Sequence, residues 1–110
     1  MNVSLLHLFM ESRGGINRSH IVNLINKTPS NTHQISEKLN LNYKTVKHHL
    51  NILKEYNVIQ SDDKTKYGSL YVISDGFDID LFKKIYNACL KDCSPDDYKI
   101  IREKVLKIIK

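Results

Sequence analysis

Apolar residues recur at helical spacing along most of this chain, and the breaks between the helical runs are short. In residues 2–12, NVSLLHLFMES, either Val3, Leu6 and Met10 or Leu5 and Phe9 share one side of a helix. Arg13, Gly14 and Gly15 then read as an interruption. Asn17 reads as an N-cap, because Ile16 before it and Ile21 after it stand at the two positions of a hydrophobic staple. A helix from Arg18 to about Asn26 is expected, burying Ile21, Leu24 and Ile25, with Thr28, Pro29, Ser30 and Asn31 ending it.

Residues 31–53, NTHQISEKLNLNYKTVKHHLNIL, carry the densest set of local signals. Asn31 and Gln34 form a capping-box pattern, with Asn where Ser or Thr is usual, and open a short helix that buries Ile35 and Leu39. Asn40 suits a left-handed turn, Leu41 points back to the core, and Asn42 caps the next helix. Leu41 and Val46 make a second staple. From Tyr43 to about Tyr56, Val46, Leu50 and Leu53 form an inner stripe with Ile52 alongside, and Tyr, Lys, His and Asn occupy the outer face.

The period then changes. Val58, Ile59 and Gln60 form one strand candidate and Leu70 to Ile73 another, joined by the polar residues 61–69 and closed by Asp75 and Gly76. Two more helices are expected. One runs from Phe77 or Asp78 to about Asp92 with Ile79, Phe82, Ile85, Tyr86, Cys89, Leu90 and Cys93 on one stripe. The other begins at Pro95, behind a Ser94 cap with Asp97 at its third position, and buries Tyr98, Ile101, Val105 and Ile108. The expected fold is mainly α with a small antiparallel β-hairpin.

Composition adds a direction. At 110 residues, 41% hydrophobic and 26% charged, the chain has the length and make-up of one folded domain. Of its net charge of +5, residues 13–61 carry seven Lys and Arg against two Glu, so the excess sits in the helical block around residues 31–53. A local basic surface favours a polyanionic partner, nucleic acid first, because each phosphate contact releases condensed counterions. Cys89 and Cys93, four apart in a helical segment, suit reduced intracellular thiols better than a disulfide framework. The apolar run from Leu5 to Met10 has no basic start and no small-residue cleavage site, and no stretch reaches the ~18 apolar residues of a membrane span. No signal peptide or membrane partner is expected, and the location expected is cytoplasmic.

The order helix, helix, turn, helix, hairpin resembles a winged helix-turn-helix, and LNLNYKTVKHHLNILKEYNVI is similar to the ArsR-type pattern of that fold. The combination of RGG at 13–15, Arg18, PSNTHQI, YKTVKHHL and KYGSLYVIS resembles small archaeal regulators of this type, and abundant Ile, Lys and Asn with Ala88 as the single alanine fits an AT-rich genome. The resemblance implies a winged helix-turn-helix DNA-binding domain over 13–75, flanked by an N-terminal helix at 1–12 and C-terminal helices at 76–110 that make a homodimer. It implies a transcription regulator that binds double-stranded promoter or operator DNA, with no cofactor and an unknown effector.

The resemblance also assigns residues. Tyr43, Lys44, Lys47 and His48 take outward positions that approach base edges, and Thr45 and Asn51 are placed for base or phosphate contacts. Lys can donate to guanine O6 and N7 and Asn can bridge adenine N6 and N7, which suits these residue types to that helix. Asn31, Thr32, His33 and Gln34 offer backbone and side-chain groups to phosphate, Asn42 lies at the turn, and Lys64 and Lys66 bring the hairpin to the neighbouring backbone. Dimer contacts are expected from Leu5, Leu6, Phe9, Phe82, Ile85, Cys89, Ile101, Val105 and Ile108. His49, beside the inner stripe, is expected to be partly buried and hydrogen-bonded, and Tyr67 and Tyr71 to pack under the hairpin.

Two alternatives remain, one from another class and one a variant of the regulator. Winged helices also serve as protein docking modules that read no bases. A thiol- or metal-responsive regulator would use Cys89 and Cys93, although these lie on an apolar stripe where cysteine acts as a small hydrophobe, and residues 31–39 hold no Cys. Enzymatic chemistry finds no support, since Gly-rich phosphate loops, HExxH and GxSxG are all absent.

Overall fold

The computed structural model describes residues 3–10, 12–62 and 69–109, with the side chains of 7–10, 12–62 and 69–108. The helices are α1 (Val3–Met10), α2 (Arg13–Lys27), α3 (Thr32–Leu39), α4 (Tyr43–Glu55), α5 (Ile79–Ile85) and α6 (Tyr98–Ile109). Strands β1 (Ile59–Asp62) and β2 (Leu70–Ile73) pair antiparallel, Ile59 with Ile73 through Asp62 with Leu70. The chain forms two compact units, Met1–His20 with Asp78–Lys110, and Ile21–Phe77.

In the Ile21–Phe77 unit, Ile21, Val22, Ile25, Ile35, Val46, Leu50, Leu53, Val58, Ile59, Tyr71 and Phe77 are buried. The inner stripe of α4 is therefore as expected, while Leu24, Leu39 and Ile52 are half-buried and not core. Asn57, at φ 59, ends the reversal after α4 in the left-handed region that Asn tolerates. Residues 63–68, and with them Lys64, Lys66 and Tyr67, lie outside the described residues.

In the other unit the first departure from expectation is the glycine pair. Residues 13–15 do not interrupt a helix; α2 starts at Arg13 and runs through Gly14, Gly15 and Asn17. The cap is Ser12, whose carbonyl and hydroxyl oxygens accept the N–H of Gly15 at 3.0 and 3.3 Å. Gly15 is needed for proximity. A Cβ there would lie 2.8 Å from the Phe9 carbonyl carbon and 3.0 Å from the Leu8 oxygen. Arg18 fastens the same crossing, its Nε donating to the Leu8 carbonyl at 2.8 Å, so that a last-turn carbonyl of α1 gains a partner. Burial lowers the Arg18 pKa from its ordinary value. Ile16 and Ile21 are buried, as positions of one continuous helix and not as a staple around Asn17.

The second departure comes after α5. The apolar stripe predicts a single helix to Asp92, but the backbone widens into a π turn over Tyr86–Leu90, with Lys91 N–H bonding Tyr86 O at 2.8 Å. Phe82, Ile85, Tyr86 and Leu90 are buried, and Cys89, expected on the same stripe, is half-exposed. Phe82 stacks on Tyr86 with centroids 5.7 Å apart and meets Phe9 at 5.1 Å. His20 bonds the Tyr86 hydroxyl (2.8 Å) and the Cys93 carbonyl (3.0 Å), tying α2 to the end of this turn. The Ser94 cap is present: Asp97 Oδ2 accepts from the Ser94 N–H at 2.9 Å and from its hydroxyl at 3.2 Å. The first turn is 3-10 (Pro95–Asp97) before α6 continues. In α6, Ile101 and Val105 are buried, Tyr98 is half-buried, and Ile108 is 39% exposed because nothing among the described residues covers the stripe in the last turn.

Candidate nucleic-acid interface

The geometry of α3 and α4 begins with their ends. Asn31 Oδ1 accepts the Gln34 N–H and Gln34 Oε1 accepts the Asn31 N–H, both at 2.8 Å, completing the capping box. Asn40 adopts φ 52 and ψ 47, and Asn42 Oδ1 accepts the Lys44 N–H at 2.8 Å. Ser36, to which the sequence pattern assigns no role, clamps the turn in both directions. Its carbonyl accepts the Leu41 N–H at 3.1 Å and its hydroxyl donates to the Leu41 carbonyl at 2.6 Å. The signal that could have revealed it is a Ser one turn before the Asn of a helix end. Since only the turn conformation requires φ > 0, Asn40→Gly is expected to keep stability. Asn40→Val should lose about 1–2 kcal/mol in urea denaturation.

With its ends fixed, α4 turns Val46, His49, Leu50 and Leu53 inward and exposes Tyr43, Lys44, Thr45, His48 and Asn51. Lys44, His48 and Asn51 fall along the centre of the outer face, and Tyr43, at 53% exposure, stands at its edge. His49, expected to be partly buried, is buried, with its ring 5.7 Å from that of His48.

Lys47 departs from its expected outward position. It is half-buried, its Nζ donates to the Tyr71 hydroxyl at 2.9 Å, and the ammonium lies 5.7 Å from the centre of that ring. Tyr71 is only 1% exposed. It packs under the hairpin as anticipated, and its backbone pairs with Ser61 of β1 on one side and with Ser30 on the other. The Ser30 pairing is reciprocal, at 2.9 and 3.3 Å, and joins the hairpin to the turn that leads into α3.

At the start of α3, Thr32 is buried, so its side chain faces the core and not the outside. His33 is exposed and pairs with Glu37 at 3.0 Å. The N–H groups of Asn31 and Gln34 are engaged by the capping box, whereas those of Thr32 and His33, in the first turn, have no acceptor within the helix. Near these amides the outer face of α4 presents Lys44, His48 and Asn51.

The residues expected at a dimer contact divide differently. Phe9, Phe82, Ile85, Ile101 and Val105 are buried within the single chain, as the core of their own unit, and Cys89 is half-exposed. The side chains of Leu5 and Leu6 lie outside the described residues. Among the described side chains, the large apolar ones that α6 leaves exposed are Ile100, at 61%, and Ile108, at 39%. Both thiols are pushed up in pKa, Cys89 by burial against a smaller opposing effect of Lys104, and Cys93 by burial and then by Asp97. Cys93 Sγ lies 3.0 Å from the Cys89 carbonyl. A raised pKa keeps a thiol protonated and a poor nucleophile or metal ligand.

Two helices joined through an αL Asn, the second amphipathic, and a hairpin pinned beside them define a winged helix-turn-helix. Residues 17–61 match the model of the family described as bacterial regulatory protein, arsR family, a span of less than half the chain that takes in α3, α4 and most of α2. The chain is also similar to a chain in the crystal structure of Streptococcus pneumoniae FabT in complex with DNA. The TM-score is 0.57 and the identity 18%, over 97% of this chain and 83% of that one. At that identity the likeness is one of fold, and it extends over the flanking helices as well as the hairpin. No curated protein matches the chain. No helix among the described residues is long and apolar enough to cross a membrane.

Proposed function

We propose that this protein is a DNA-binding transcription regulator, not an enzyme, that inserts α4 into the major groove of double-stranded DNA. The observation that carries the reading is the outer face of α4, where Lys44, His48 and Asn51 stand exposed opposite a fully buried apolar stripe, within a span that matches the arsR family model. FabT, its structural likeness, is crystallised with DNA. Base reading falls to Lys44, His48 and Asn51, with Tyr43 and Thr45 at the edges and the first turn of α3 on phosphate. Lys64 and Lys66 extend the contact to the flanking backbone. A cytoplasmic location goes with this role.

The regulator acts as a homodimer through residues 1–12 and 76–110. Exposed Ile100 and Ile108 support this, being apolar side chains that a second copy could cover. Two copies would engage half-sites about one turn, or ~34 Å, apart.

Selection of bound sequences from a random DNA pool tests the whole reading. The expected result is one enriched motif with two-fold symmetry, bound with an affinity that falls steeply with salt. Failure to enrich any motif would leave a docking module as the better account. A monomer in sedimentation at micromolar concentration would remove the dimer.

A further inference from the structure

We propose that Lys47 is a positioning residue that fastens the hairpin to α4 through Tyr71, and not a residue that reads bases. The assignment rests on the DNA-binding reading for its consequence, though not for its geometry. Tyr71 has no freedom to follow a moving partner. Its backbone is paired with Ser61 on one edge and with Ser30 on the other, and its side chain is 1% exposed. The hydroxyl is therefore a fixed point, and the flexible lysine is the partner that adapts to it.

Lys47 reaches that point with its Nζ 2.9 Å from the hydroxyl and 5.7 Å from the ring centre, and the side chain is half-buried in doing so. A base-reading lysine needs its ammonium at the outer face, where Lys44 stands exposed. On Lys47 the charge is instead held against the hairpin side of the helix. Three segments converge on Tyr71: α4 through Lys47, β1 through Ser61, and the turn before α3 through Ser30. Since Ser30 precedes the Asn31 cap, the same tyrosine aligns the first turn of α3, the outer face of α4 and the hairpin. Those are the three surfaces that must meet one duplex together.

Lys47→Met and Tyr71→Phe test this with two readouts. Without DNA, amide hydrogen exchange in β2 should quicken roughly 3- to 10-fold in both variants, the range set by one hydrogen bond. With DNA, random-pool selection should return the wild-type motif for both variants, and affinity should fall by a similar roughly 3- to 10-fold. Lys44→Ala serves as the contrast and should lose preference at one position. Relaxed preference at a single base pair in Lys47→Met with none in Tyr71→Phe would overturn the assignment, as would unchanged exchange in both. If the wild type selects no motif, it is the DNA reading that fails, and the exchange rates still decide whether Lys47 fastens the hairpin.

Discussion

Gly15→Ala is expected to destabilise the protein by about 1–3 kcal/mol, the range for forcing an extra methyl into a close-packed site. The sign is opposite to that of an ordinary helical glycine, where Ala gains about 1 kcal/mol from propensity. What reverses it is the set of neighbours. The added Cβ would meet the Phe9 carbonyl carbon at 2.8 Å, the Leu8 oxygen at 3.0 Å and the Met10 nitrogen at 3.1 Å, all backbone atoms that cannot rotate away. Relief requires the end of α1 to move off α2, which would also stretch the 2.8 Å bond from Arg18 to Leu8. Gly76→Ala is the matched control, since nothing lies within 4 Å of the position its Cβ would take. It should fall within about 0.5 kcal/mol of wild type, as loop substitutions without strain do. Urea denaturation followed by circular dichroism checks both. A Gly15→Ala variant as stable as wild type would mean that α1 and α2 cross at a wider separation.

The second large effect concerns DNA. Lys44→Ala and His48→Ala should each weaken binding to the selected site by about 1–3 kcal/mol and relax preference locally. If Lys44 neutralises a phosphate instead, its loss should weaken binding to all sequences alike and lower the salt slope by about one. Stability should be unchanged in both variants, because the two side chains are exposed on the face opposite Val46, Leu50 and Leu53. Affinities measured by fluorescence anisotropy at several salt concentrations separate the outcomes. Two variants that bind as tightly as wild type would show that the outer face of α4 is not the reading surface.

These two predictions draw on different kinds of knowledge. The face carrying Lys44 and His48 was legible from sequence, because the inner stripe of α4 repeats every three or four residues and its cap lies next to it in the chain. The same holds for the Asn31 and Gln34 box, the Asn40 turn and the pairing of two β-rich segments. Each is an interaction between residues a few positions apart, or a pattern with a fixed period, so it is written locally. Ser36 belongs to this group too, since its bond to Leu41 spans five positions.

Gly15 and Lys47 belong to the other kind. In sequence, Gly14 and Gly15 break a pattern, and it takes the approach of the Phe9 backbone to turn that break into a packing contact inside a helix. Lys47 belongs to the outward set by spacing, and only the arrival of Tyr71, 24 positions on, draws it off the outer face. The apolar stripes of residues 76–110 could equally have met a second chain. The burial of Phe82, Ile85, Leu90, Ile101 and Val105 within one chain was decided by which helix lies against which. The sequence by itself determined α3 and α4 with their caps, the pairing of the two strands and the outer face of α4, since those depend on neighbours in the chain. Tertiary structure decided what Gly15, Lys47 and the C-terminal stripes do, since their partners are brought near only when the chain has folded.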